Sequence, residues 1–84
     1  MEVVPDVEVP KWEQIALDIE TKIRAGEYLP GQRVMSENTI AQTYGVARGT
    51  ARRSIAGLVE WGMVRVRPRQ GVYAAPQTSW RKVD

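Results

Sequence analysis

A mainly α-helical domain closed by a small β-hairpin is what this sequence predicts, and three observations carry it. Apolar residues recur at helical spacing in three separate runs between Lys11 and Trp61. Gly26, Gly45 and Gly62 stand where those runs end, and glycine readily takes the positive φ that stops a helix. After Gly62 the period changes from helical to alternating, which is the pattern of a half-buried strand.

The first helix is predicted from about Lys11 to Ala25, opening after Pro10 and closing at Gly26. Trp12, Ile15, Ala16, Ile19 and Ile23 form its apolar stripe, with Glu13, Asp18, Glu20 and Lys22 mostly outside it. Trp12 in such a stripe is assigned to packing. Tyr28-Leu29-Pro30-Gly31 is a turn, and Arg33-Val34-Met35 is a candidate short edge strand beside the hairpin.

Ser36 to Val46 reads as a short helix and a tight turn. Ser36 is a good N-cap and Glu37 suits the positive helix end. Ile40, Ala41 and Tyr44 supply an apolar face, and Gly45 redirects the chain. From Arg48 to Trp61 a further helix is predicted. At about 100° per residue, Ala51, Ile55, Leu58 and Val59 form its buried stripe, and Gly49, Arg52, Arg53 and Ala56 its opposite face. Two guanidiniums beside residues with almost no side chain can approach a duplex closely and reach phosphates or guanine O6/N7. Taken alone, the same face equally suits an amphipathic helix with a solvated charged side.

Ala41 and Gly45 four apart, with an apolar residue at position 51, is the spacing of a helix-turn-helix. Any helical hairpin could share it. Met63-Val64-Arg65-Val66-Arg67 and Val72-Tyr73-Ala74-Ala75 then form strands around the turn Pro68-Arg69-Gln70-Gly71. A hairpin directly behind a helix-turn-helix is a wing, whose tip touches backbone or minor groove. Arginines on an edge hairpin also discourage aggregation. The predicted fold is therefore a winged helix-turn-helix, three helices plus a two- or three-stranded wing, over residues 10–75. Residues 1–9 are an extended or disordered arm, and residues 76–84 a tail whose Trp80 packs locally or marks an interface.

Charge distribution agrees. The net charge of the 84 residues is only +2, but residues 1–47 hold four basic and eight acidic side chains, and residues 48–84 eight basic and two acidic. The positive field falls on the third helix, wing and tail, the footprint expected for nucleic acid.

These residues together resemble the N-terminal winged-helix domain of the GntR family of bacterial transcription regulators, across about residues 11–75. The resemblance rests on Trp12, Gln14-Ile15-Ala16, Ile23, Gly26, Leu29-Pro30-Gly31-Gln32-Arg33, Ser36-Glu37, Tyr44-Gly45-Val46, Arg48, Thr50, Arg52, Leu58 and Gly62. It implies that Ser36 and Asn38 lie near DNA backbone or bases, that Arg48, Gly49, Thr50 and Arg52 enter the major groove, and that Gly71 sits at the wing. Arg53 adds to the helix face, and Arg67, Arg69 and Gln70 to the wing contacts. Three positions depart from the family pattern. Val34-Met35 replaces Leu-Pro ahead of Ser-Glu; Ala47 replaces the serine that caps the third helix, at a cost of about 1 kcal/mol; Arg69 replaces the first glycine of a Gly-x-Gly wing.

The expected function is sequence-specific binding of double-stranded DNA, at an inverted-repeat operator, by a transcriptional repressor that pairs as a homodimer on DNA. The alternatives are an architectural or recombination accessory factor using the same residues, and a protein-interaction module on the same scaffold. Catalysis is the least expected. The sequence has no His and no Cys, so neither a disulfide framework nor a zinc site is expected, and no cofactor or metal. The GntR resemblance implies a larger effector-binding, dimerising domain that these 84 residues do not contain; either an isolated DNA-binding module or a natural short protein is expected, and the start at Met1 and the acidic end favour the latter. No small-molecule effector is expected for so small a core. No signal peptide or membrane-length apolar run is present, and the expected location is cytoplasmic, with no membrane partner.

Overall fold

Pro10 has no N–H to leave unpaired, so a helix can start directly behind it. Its carbonyl accepts from the Glu13 and Gln14 N–H groups at 3.0 and 3.1 Å. A computed structural model describes residues 9–82, and helix α1 spans Lys11–Arg24 with Ala25 as its C-cap, one residue earlier than the sequence suggested. Lys22 and Arg24 occupy the last turn, where cations suit the helix dipole. The predicted arm, apart from Val9, lies outside the described residues.

Helix α2 spans Glu37–Tyr44. The Thr39 N–H donates to Ser36 Oγ at 3.1 Å, and Gly45 closes the helix at φ 66°, both as the sequence indicates. Ile40 is fully buried. The Tyr44 hydroxyl donates to Asp18 at 2.6 Å, tying α2 to α1. Burial, reinforced by Asp18, pushes the Tyr44 phenol above its ordinary value, so it stays a donor.

Helix α3 spans Arg48–Glu60, and here the expected stripe is rotated. Ala51 and Leu58 are buried, but Ile55 is only half-buried and Val59 is 45% exposed. Ser54 and Gly57 are buried in their place. The cause is α1: a Cβ on Gly57 would stand 2.6 Å from Cζ3 of Trp12, so glycine lets the indole lie directly on α3. Ser54 Oγ shares its one proton between the Trp12 carbonyl at 2.9 Å and the Thr50 carbonyl at 3.1 Å. A stripe read by apolarity alone passes over a serine and a glycine. Trp12 packs at the core edge, 6.3 Å from Trp61 between ring centroids.

Strands β1 (Val64–Arg67) and β2 (Gly71–Ala74) pair antiparallel, with Val64 opposite Ala74 and Val66 opposite Val72. The candidate third strand is reduced to a bridge between Arg33 and Tyr73. Hydrogen bonds of 2.8 Å from Gly31 and Val34 N–H to the Ala74 and Val72 carbonyls flank it. Val66, expected to face inward with Val64, is 49% exposed and borders an open groove beside α3. Among the described residues no helix is long and apolar enough to cross a membrane.

The tail packs locally. After a 3-10 turn at Gln77–Ser79, Trp80 Nε1 donates to the Ala75 carbonyl at 3.0 Å and Ser79 Oγ to the Gly62 carbonyl at 2.8 Å. Gly62 has φ 73°, and a Cβ there would lie 1.9 Å from the Ser79 carbonyl oxygen; no other residue fits. Glu20, placed mostly outside the apolar stripe by the sequence, is only 4% exposed. Its carboxylate receives Arg81 at 2.7 and 2.9 Å and Arg24 at 3.2 and 3.3 Å. The Arg81 guanidinium stacks 3.7 Å from the Trp61 ring centroid. The pairing depends on a residue 61 positions away, which no local periodicity can reveal.

Burial works to raise the Glu20 carboxyl, but hydrogen bonds from Arg81 and Arg24 outweigh it and hold the group below its ordinary 4.5. A carboxyl whose folded value is depressed adds stability above its unfolded value, and that stability is lost as pH falls through the folded value. Glu20→Gln should therefore lower unfolding stability by about 2 kcal/mol near neutral pH. Chemical denaturation should show the difference from wild type shrinking below pH 4.5; a difference constant down to about pH 3 would contradict the ion pair. A second expectation concerns Ala47, which has N-cap backbone angles (φ −68°, ψ 156°) but makes no side-chain cap bond. Ala47→Ser should raise stability by about 1 kcal/mol, and an unchanged or lower melting temperature would show that the serine hydroxyl does not reach an α3 N–H.

Candidate nucleic-acid interface

The turn at Gly45 brings the first turn of α2 beside the first two turns of α3. Arg48 and Arg52 are four apart, so both lie on the same edge of α3. Glu37, in the first turn of α2, holds both. Arg48 donates through Nε and Nη2 to Glu37 Oε1 at 3.1 and 3.0 Å, and Arg52 through Nε to Oε2 at 2.8 Å. The two arginine side chains are nonetheless 66% and 70% exposed. The Arg52 hydrogen bond, with that of Arg48, holds the Glu37 carboxyl below its ordinary range despite an opposing contribution from burial. It is therefore charged at neutral pH.

This clamp has a chemical consequence. Arg52 uses only Nε on Glu37, which leaves both of its terminal nitrogens for an outside pair of acceptors, such as phosphate oxygens or guanine O6 and N7. A free arginine side chain has about 2 kcal/mol of rotamer entropy to lose, and tethering it beforehand reduces the ordering cost of binding. The sequence singled out both arginines, and Glu37 only as the acid at the start of α2, not as the group that orients them. Glu37 is 11 residues from Arg48, and only the crossing of the two helices closes that gap.

The other expected residues are not all gathered there. Arg53 is exposed, but its guanidinium stacks 3.7 Å from the Trp12 ring centroid, so it leans toward α1 and away from Arg52. The paired guanidinium face expected from Arg52 and Arg53 is thus split. Gly49 and Ala56 are exposed, and a Cβ on Gly49 would meet nothing within 4 Å, leaving a low open surface beside Arg52. Thr50 is half-buried. Ser36 is engaged in capping α2, while Asn38 is exposed on the first turn.

At the wing, the Gln70 N–H donates to the Arg67 carbonyl at 2.9 Å across Pro68-Arg69. Pro68 suits the second position of such a turn, and the third requires positive φ. Arg69 occupies it at φ 66°, the one non-glycine in that region among the described residues. The substitution of a charged residue for glycine at the tip therefore carries backbone strain. Arg67 and Arg69 make no ion pair among the described residues. Between α3 and the wing lies an open groove of about 940 Å³, lined by Ile55, Val59 and Val66 together with Arg48, Arg52, Arg67 and Arg69. The misplaced Val59 and Val66 are thus accounted for together: both line this groove.

Comparison with known proteins agrees with the geometry. Residues 11–74 match the bacterial regulatory proteins of the gntR family. The chain is 34% identical over 70 residues to the uncharacterized HTH-type transcriptional regulator YieP of Escherichia coli (strain K12), covering 83% of this chain and 30% of that protein. It is 34% identical over 68 residues to the arabinose metabolism transcriptional repressor of Halalkalibacterium halodurans, covering 81% of this chain and 18% of the relative. It thus spans less than a third of the length of either. Among solved structures, AraR(DBD) in complex with operator ORE1 superposes with a TM-score of 0.80 at 31% identity, over 88% of this chain and 90% of that one. A GntR family transcriptional regulator from Listeria monocytogenes gives 0.77 at 27% identity, over 87% and 64%. The fold is a winged helix-turn-helix, and the chain belongs to the gntR family of bacterial regulatory proteins.

Proposed function

We propose that this chain binds duplex DNA sequence-specifically and represses transcription, with α3 in the major groove and the wing on adjacent backbone or minor groove. The observation that carries the reading is the exposed Arg48–Glu37–Arg52 clamp at the N-terminal half of α3, the part of a recognition helix that faces base edges. The operator complexes of AraR(DBD) and the regulatory roles named for the relatives support it. In this arrangement Arg48 and Arg52 read bases, Gly49 and Thr50 allow close approach, and Ser36 and Asn38 lie along the backbone. Arg53 adds charge from the α1 side of the helix. Arg67, Arg69, Gln70 and Gly71 form the wing contact. Two copies pair on an inverted repeat, in successive major grooves about 34 Å apart. The open α3–wing groove lies on the proposed DNA face itself.

Selection of genomic fragments by the purified protein supplies the site. On that site Arg52→Ala and Arg48→Ala should each weaken binding by about 1–3 kcal/mol, with much less effect on a scrambled duplex. Equal losses on both duplexes at one salt concentration would reduce these arginines to phosphate contacts. At the wing, Arg67→Gln with Arg69→Gln should lower affinity for all sequences and reduce the salt slope by about two per protomer. The same titrations give the stoichiometry, and a single protomer per site at saturation would remove the inverted-repeat arrangement. Arg69→Gly alone should raise unfolding stability by about 1 kcal/mol by relieving the positive φ, while weakening DNA binding; a melting temperature that fails to rise would show the tip to be unstrained.

A further inference from the structure

The hairpin face opposite Val64 and Val72 carries further cations, set there by strand register, and shares Arg67 with the groove. Arg65 pairs with Tyr73 and Arg67 with Gly71, so alternation places Arg65, Arg67 and Tyr73 on one face and the buried Val64, Val72 and Ala74 on the other. Arg33 joins them through its bridge to Tyr73. Its guanidinium lies 5.7 Å from the Tyr73 ring centroid, with Nη2 donating to the tyrosine hydroxyl at 3.3 Å. Arg67 lies 5.5 Å from the same centroid. A Cβ on Gly71 would sit 3.4 Å from Arg33 Nε, so the glycine leaves room for Arg33 to cross the end of the hairpin. A hollow of about 190 Å³ opens on this face, with Arg65, Arg67 and Tyr73 in its wall.

Arg33 and Arg67 flank one ring and Arg65 stands opposite it across the ladder, and like charges so placed repel each other unless something negative neutralises them. No carboxylate does so: among the described residues the ion pairs of Glu20, Glu27 and Glu37 all go to other cations. Arg48 and Arg52, by contrast, are partly neutralised by Glu37. The outer wing face therefore contributes more unbalanced positive charge than the helix edge does, and the tyrosine ring holds the Arg33 and Arg67 guanidiniums in place.

We propose that this face binds the sugar–phosphate backbone of the same duplex beyond the segment covered by α3 and the wing tip, with a phosphate in the hollow between Arg65 and Arg67 and Arg33 on a neighbouring phosphate. The inference rests on the DNA-binding reading above. A duplex that meets α3 and the wing tip continues past the hairpin on the side away from α3, where this face waits for it.

The test uses a selected genomic site in two duplex lengths. One ends at the wing-side edge of the footprint centred on α3 and the wing tip, and one is extended by a further turn of about 10 bp. The wild-type salt slope should be steeper on the longer duplex by about two. Arg33→Gln with Arg65→Gln should lose that increment and match wild type on the short duplex, whereas Arg33→Lys with Arg65→Lys should keep it. A wild-type slope independent of length, or an equal loss by the glutamine variant on both lengths, overturns the flanking placement. So does length-independent bridging to a second duplex that the glutamine variant abolishes, which assigns the face to another DNA molecule. A wild-type protein that selects and protects no sequence at all defeats the DNA-binding reading itself; a protected site with unchanged slopes defeats this inference alone.

Discussion

The close approach of Trp12 to α3 is the constraint on which the rest of the molecule depends. Gly57 removes the side chain that would strike the indole, and Ser54 satisfies its own hydroxyl on the Trp12 carbonyl while buried. Together they set the rotation of α3 about its axis. With that rotation, Arg48 and Arg52 turn toward Glu37, Arg53 turns back over Trp12, and Val59 leaves the core for the groove. Close packing transmits such choices because interiors have little slack.

Two acids organise the cations, and burial separates their roles. Glu20 is almost wholly enclosed and gathers Arg24 and Arg81, closing the tail onto α1. Removing one partner there strands buried charge, so the pair acts on stability. Glu37 binds two highly exposed arginines, and exposed pairs contribute little to folding. Its effect is on orientation: it holds guanidiniums at a defined edge while leaving donors free. In the proposed complex this favours discrimination, because the groups that read bases arrive already placed.

The wing makes the opposite choice. Arg69 accepts a left-handed backbone that glycine would occupy at lower cost, and Arg33, Arg65 and Arg67, grouped about Tyr73, make no ion pair among the described residues. Stability is given up locally for positive charge, a pattern expected where charge is to meet a polyanion. The helix edge is thus arranged for direction and the wing for field strength.

Much of this architecture was legible in the residues. The 3.6-residue period located α1, α2 and α3, Ser36 and Gly45 marked the ends of α2, and the switch to alternation at Met63 announced the hairpin, because each depends only on neighbours along the chain. The exposed arginines of α3 and the wing were legible for the same reason. Tertiary structure decided what depends on residues far apart. Ser54 and Gly57 are buried because Trp12 lies on them, Glu20 because Arg81 returns to it, and Arg33 joins Tyr73 across 40 positions. The orientation of Arg48 and Arg52 belongs to this second class, since Glu37 reaches them only after the helices cross. Periodicity records which side of an element is apolar, but a glycine that admits a ring or an acid that waits for a distant arginine leaves no periodic trace, and only the packed chain defines its role.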